Sequence, residues 1–145
     1  MKPHKLPYEE FKYIYSKVPR LCIDLIFKSE KGILLAQRNI DPGKGLWHFP
    51  GGTVLLGESI EDSINRISIE EIGFSISKYN LIGIIEFLPE NNPFFHSISI
   101  VFKVKSEIEN FKPNWHNKDI KYFKQLPDNI VSEHKKFILE KNLLD

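Results

Sequence analysis

The chain has 145 residues, 41% of them hydrophobic, which is enough for one domain with a buried core. Lysine and arginine number 20 against 19 acidic residues, so no global charge excess points to nucleic acid or to an anionic membrane surface. The single cysteine, Cys22, excludes an intramolecular disulfide and suits a reducing compartment. No apolar run reaches membrane-spanning length, and the charged N-terminal residues lack the apolar stretch of a signal peptide. The expectation is a cytoplasmic protein with a single domain over residues 1–145, bound neither to nucleic acid nor to membrane.

Taken in order, residues 7–18 place Phe11, Ile14, Tyr15 and Val18 at helical spacing and stop at Pro19, which predicts a packing helix. Residues 21–27 and 33–38 read as strands joined by the turn Ser29-Glu30-Lys31-Gly32. Cys22 lies in the first of these apolar runs and reads as a buried thiol, not a nucleophile. Asp24 interrupts the same run, and two placements suit it equally: the outer face of a half-exposed strand, or a carboxylate set in a cleft. Arg38 closes the second strand. Residues 39–45 form a polar loop with Pro42, Gly43 and Gly45, and Trp47 and His48 lead as a short strand into a glycine pair.

The stretch from Gly51 to Phe74, GGTVLLGESIEDSINRISIEEIGF, carries the chemistry. Gly51 and Gly52 permit close backbone approach to a ligand, so a carbonyl can face a metal ion. Ser59, followed three residues later by Asp62, resembles a capping box that starts a helix near Ile60. Ile60, Ile64 and Ile67 recur at helical spacing and predict one buried stripe. Arg66 and Glu70 share a face, as do Ile67 and Glu71, and Gly73 supplies a stop. The helix therefore aims Glu70 and Glu71 at the loop that the glycines bend. Two adjacent glutamates alone are ordinary on a solvated helix. Together with the glycine pair, Glu58, Arg66 and Gly73 they fit a site for a hard cation and a diphosphate.

Beyond this stretch, residues 80–88 form an apolar strand containing Glu86, residues 89–93 a loop, and residues 96–105 an alternating strand. Residues 107–117 are a polar loop with Trp115 and His116. Residues 120–126 read as one more strand, Pro127-Asp128 as a turn, and residues 131–144 as a closing helix, with Ser132 as its cap and Phe137, Ile138 and Leu139 as its apolar side. This order fits an α/β fold with a mixed sheet sandwiched between helices.

The glycine pair, Glu58, Arg66, Glu70-Glu71 and Gly73 resemble the Nudix box, the loop–helix–loop signature of Nudix hydrolases, and Gly45-x-Trp47-x-x-Pro50-Gly51-Gly52 resembles the run that precedes it. One departure is informative: the family has Glu directly after the arginine, and here that position is Ile67. Within the superfamily the chain is similar to the GDP-mannose mannosyl hydrolases. The similarity rests on LCIDLIF after an N-terminal helix, AQRNIDPGKGLWHFPGG, the altered Arg66-Ile67-Ser68, and HNKDIKYF late in the chain. It implies the Nudix fold, a Mg2+ cofactor with Mn2+ as a substitute, a homodimer through the N-terminal segment, and hydrolysis of a nucleoside diphosphate sugar by attack on the anomeric carbon. It further implies the Gly51 carbonyl, Glu70 and Glu71 as metal ligands, Arg66 as a cation neutralising the departing diphosphate, and Asp24 and Arg38 as substrate-binding residues.

Two further departures concern the diphosphate and the base. The mannosyl hydrolases have an arginine directly after the glycine pair, where this chain has Thr53, and their late loop supplies a Gln ligand followed by a His base. An ungapped alignment sets His116 opposite that Gln and Asn117 opposite that His, whereas a one-residue shift makes His116 the base. His96 and Glu86 are the other candidate bases; His4, His48 and His134 read as surface or packing residues. A pyrophosphohydrolase that attacks phosphorus, and a nucleotide-binding module with little turnover, are the alternative functions.

Overall fold

The computed structural model describes residues 1–90, 96–105, 108–112, 114 and 116–145; the loop assignments at residues 91–93, 107 and 115 lie outside these. The first helix, α1 (Tyr8–Tyr15), buries none of its residues and follows Pro7, whose fixed φ suits a helix entry. Strands β1 (Arg20–Ser29) and β2 (Gly32–Arg38) form the expected antiparallel hairpin around Glu30-Lys31. Short strands β3 (Trp47–His48) and β4 (Gly51–Thr53) follow, so the glycine pair is part of a strand and not only a bend. Helix α2 (Ile60–Ile72), strands β5 (Tyr79–Phe87), β6 (Ser97–Lys105) and β7 (Asn117–Phe123), and helix α3 (Ser132–Glu140) complete the chain.

All seven strands belong to one mixed sheet, in the order β3-β2-β1-β6-β5, with β4 added to β1 and β7 to β2. β1 runs parallel to β6 over its length, whereas its pairing with β2 is confined to Lys28 opposite Ile33 and Ser29 opposite Gly32. From there β1 takes β4 as its partner at residues 22–24, and β2 takes β3 and β7. The sheet is covered on one face by α2, over Ile23, Leu25, Phe27, Ile64, Ile67 and Ile72. α3 covers the other face, over Ile26, Leu35, Phe49, Ile85, Phe137 and Ile138. This is the expected sandwich. Among the described residues no helix is long and apolar enough to cross a membrane.

Several local expectations shift. Ile60 is 37% exposed, because the buried stripe of α2 runs through Ser63, Ile64, Ile67, Ser68 and Ile72. Ser59 does cap α2, its hydroxyl accepting from the Asp62 N–H at 3.0 Å, and Gly73 ends the helix in the left-handed region at φ 86°. Ser132 does not cap α3: Val131 occupies that position, and the Ser132 hydroxyl turns to Glu133. Leu139 faces solvent and His134 takes its place on the buried side. β7 begins at Asn117, earlier than expected, because its pairing with β2 continues past a bulge to Arg38 opposite Asn117.

Candidate active site

The conformation of the glycine pair follows from its neighbours. A methyl group at Gly51 would lie 2.3 Å from Asp24 Oδ1 and 2.6 Å from the Ile23 carbonyl, so only glycine lets β4 lie against β1 there. Gly52 is backed by Ile67, which is 1% exposed and would sit 3.1 Å from an added Cβ. The position after the arginine is thus a core position, and its apolar side chain fills the space between α2 and β4.

Arg66 is engaged on all sides. Nε donates to Glu58 Oε2 at 2.6 Å, and one terminal nitrogen donates to Glu58 Oε1 at 3.0 Å and to the Thr53 carbonyl at 2.7 Å. The other reaches Glu70 Oε2 at 3.1 Å. Glu58 also accepts from the Leu55 N–H and the Ser63 hydroxyl, and the Arg66 guanidinium holds its carboxyl at about 2. Arg66 therefore fastens the loop after β4 to α2 and orients Glu70.

Glu71 is set differently. Burial pushes its carboxyl upward, while the amides of Asn117 and Asn114 donate to its two oxygens at 2.8 and 3.2 Å. The Asn114 amide also reaches the Glu70 carbonyl at 3.1 Å, near the end of α2. A desolvated carboxylate held by neutral amides is a group that a cation satisfies. Among the described residues no three His, Cys, Asp or Glu side chains form a cation site by themselves. The expected ligand oxygens, those of Glu70 and Glu71 and the Gly51 carbonyl, are by chemistry the hard donors that Mg2+ prefers.

Around these carboxylates stand the polar residues of β2, β3 and the loop before β7. Arg38 donates from Nε to the Pro42 carbonyl at 2.6 Å; burial lowers its pKa, and the Glu71 charge opposes that. His116 is half-buried, and burial and the charges of Arg38 and Lys5 hold its pKa below the usual 6.5, against the pull of Glu70. His48 donates from Nδ1 to the Phe49 carbonyl at 2.7 Å, and burial lowers its pKa to about 4, so the ring is neutral at pH 7. Its Nε2 lies 3.2 Å from Asn117 Oδ1, also an acceptor, so with the single ring proton on Nδ1 this second contact is not a hydrogen bond. The NH2 edge of that amide is turned to Glu71.

Asp24 is 8% exposed, which decides between its two placements: it lies in the interior, beside Gly51. Its Oδ2 is 3.3 Å from His134 Nε2, an approach not aligned as a hydrogen bond. His134 Nδ1 accepts the Phe49 N–H at 3.1 Å, which leaves the ring proton on Nε2, and the ring stacks on Phe49 at 4.2 Å. His134 is thus a packing residue as expected, stacked on Phe49, and both it and His48 also contact the Phe49 backbone. Of the other candidate bases, Glu86 is exposed on the edge strand β5. His96 lines a shallow depression with residues 16–19 and Pro89, beside the start of β1.

The chain is 27% identical over 124 residues to the low-salt glycan biosynthesis protein Agl8 of Haloferax volcanii, covering 82% of this chain and 80% of that protein. It is 36% identical over 91 residues to the ADP-ribose pyrophosphatase of Methanocaldococcus jannaschii, covering 63% of this chain and 53% of that one. The crystal structure of the MutT protein from Methanosarcina mazei superposes with a TM-score of 0.76 at 20% identity, over 87% of this chain and 95% of that chain. The sequence model of the NUDIX domain matches residues 18–140, and the chain belongs to the NUDIX family of hydrolases.

Proposed function

We propose that this Nudix hydrolase cleaves a nucleoside diphosphate sugar, a GDP-sugar such as GDP-mannose first, by attack of water on the anomeric carbon. One observation carries the reading: Ile67, where the family has a carboxylate, is buried against Gly52 and cannot activate water on phosphorus. The similarity to a protein named for glycan biosynthesis supports a sugar-linked substrate. Glu70, Glu71 and the Gly51 carbonyl would hold a divalent cation, which when bound neutralises the diphosphate as it departs. Arg66 orients Glu70 and so acts by positioning. His116, uncharged at neutral pH, takes the proton from water as the carbon–oxygen bond to the diphosphate breaks. Arg38 and the interior carboxylate of Asp24 bind the nucleotide sugar.

A second reading, hydrolysis of a nucleotide phosphorus–oxygen bond, is favoured by the retention of both Glu70 and Glu71 and by the similarity to an ADP-ribose pyrophosphatase. Hydrolysis of GDP-mannose with Mg2+ in oxygen-18 water, read by mass spectrometry, separates the two. The expected products are labelled mannose and unlabelled GDP. Label in GMP or in mannose phosphate would establish attack on phosphorus instead. Absence of product across a panel of nucleotides would leave a binding module.

A further inference from the structure

The segment before α1 crosses the site. A methyl group at Gly57, in the turn that leads to α2, would lie 3.2 Å from Met1 Sδ, so Met1 is seated on that turn. Four residues on, Lys5 Nζ lies 3.1 Å from Glu70 Oε1. Its charge acts on Glu71 and on His116 as well. Lys5 thus pairs with Glu70, close enough to Glu71 and His116 for its charge to act on both.

The cations around this site differ in what they can still do. Arg66 has Nε and both terminal nitrogens engaged by Glu58, the Thr53 carbonyl and Glu70. Arg38 is tethered through Nε to the Pro42 carbonyl. The Lys5 side chain is 64% exposed, and its partner carboxylate 35%. An exposed ammonium on a half-buried carboxylate holds weakly and exchanges readily. A carboxylate that takes up a divalent cation has less need of an ammonium, and an ammonium displaced by a cation lies where the anionic ligand of that cation must be.

We infer that Lys5 is a diphosphate-binding residue: with a divalent cation on Glu70 and Glu71, its ammonium leaves Glu70 for the non-bridging oxygens of a nucleoside diphosphate. Met1 on Gly57 and the start of α1 at Tyr8 keep it within reach. This deepens the proposed function and rests on it. It does not depend on whether carbon or phosphorus is attacked, because both substrates present the same diphosphate.

The test is calorimetric titration of the full chain with GDP in the presence of Mg2+, comparing wild type, Lys5→Ala and Lys5→Arg. Loss of one charge-assisted contact weakens GDP binding about tenfold in Lys5→Ala, and Lys5→Arg restores most of it. Guanosine, which has no phosphate, binds both forms alike. Equal GDP affinity in wild type and Lys5→Ala overturns the assignment of Lys5 alone. Tighter Mg2+ binding in Lys5→Ala with no change for GDP overturns it too, and makes Lys5 a plug on the metal site. Failure of the wild type to bind any nucleoside diphosphate overturns the proposed function together with this inference.

Discussion

Arg66 clasps Glu58 through two nitrogens, at 2.6 and 3.0 Å, and only 4% of the Glu58 side chain is exposed. Removing either partner leaves the other charge half-buried and unpaired, which costs about 1–3 kcal/mol. Arg66→Gln and Glu58→Gln should each lower the urea midpoint accordingly, and the double variant should cost less than their sum. The pair also sets an acid limit. The folded pKa of Glu58, about 2, lies below its ordinary 4.5, so the unfolded chain binds the proton more readily. Its stabilisation is complete above 4.5 and is lost as pH falls toward 2. Stability curves of wild type and Glu58→Gln should converge over that window; parallel curves would remove the pair from the account.

Glu71 tests the metal reading. Glu71→Gln keeps the size of the side chain and removes the charge that a cation needs. Turnover should fall about a hundredfold or more and Mg2+ affinity with it, while the circular dichroism spectrum stays as in the wild type. Near-normal activity would take Glu71 out of the metal site.

His116 tests the base. Because burial and the charges of Arg38 and Lys5 hold its pKa below 6.5, the acid limb of kcat/KM should lie below that value. His116→Asn should reduce kcat about a hundredfold and abolish the limb. A variant that keeps the limb unchanged would send the role of base to another residue.

His134 accepts the Phe49 N–H and lies beside the carboxylate of Asp24. His134→Phe retains a ring to stack on Phe49 but strands the Phe49 N–H and leaves Asp24 without its neighbour. The expected loss is about 2 kcal/mol, read from thermal or urea unfolding. Adding Asp24→Asn to that background should recover part of it, because the stranded group is then neutral. No recovery would mean that the Phe49 N–H dominates.

What could be read from the sequence, and what could not, divides along one line. The cap at Ser59, the stop at Gly73 and the facing of Arg66 and Glu70 are local demands, written by residues close together in the chain, whereas the bend expected at Gly51-Gly52 is a strand because β1 pairs with it. The missing glutamate at Ile67 was equally plain. Asn114, Asn117, His48 and His134 were not, because their roles come from partners that only the sheet brings near. Phe49 and His134 are 85 residues apart, and no pattern around either announces the other. The alternation of residues 96–105 identified a strand but not its faces: Ser97 and Ser99 are buried and Ile98 is exposed. The parallel pairing with β1 sets that face, and it is invisible in the strand itself.

The early parting of β1 and β2 gives the molecule a seam. One half-sheet carries β4, β1, β6 and β5, with Asp24 and Gly51, and α2 lies over it with Glu70 and Glu71. The other half carries β3, β2 and β7, with His48, Arg38 and Asn117. The amides of Asn114 and Asn117 on Glu71 are stitches across this seam, and Phe27 and Leu34 meet beneath it in one core. The acidic pair and the basic residues therefore belong to half-sheets that β1–β2 pairing joins only at Lys28–Ser29. A defect at the Phe27–Leu34 joint would reach the chemistry without touching it.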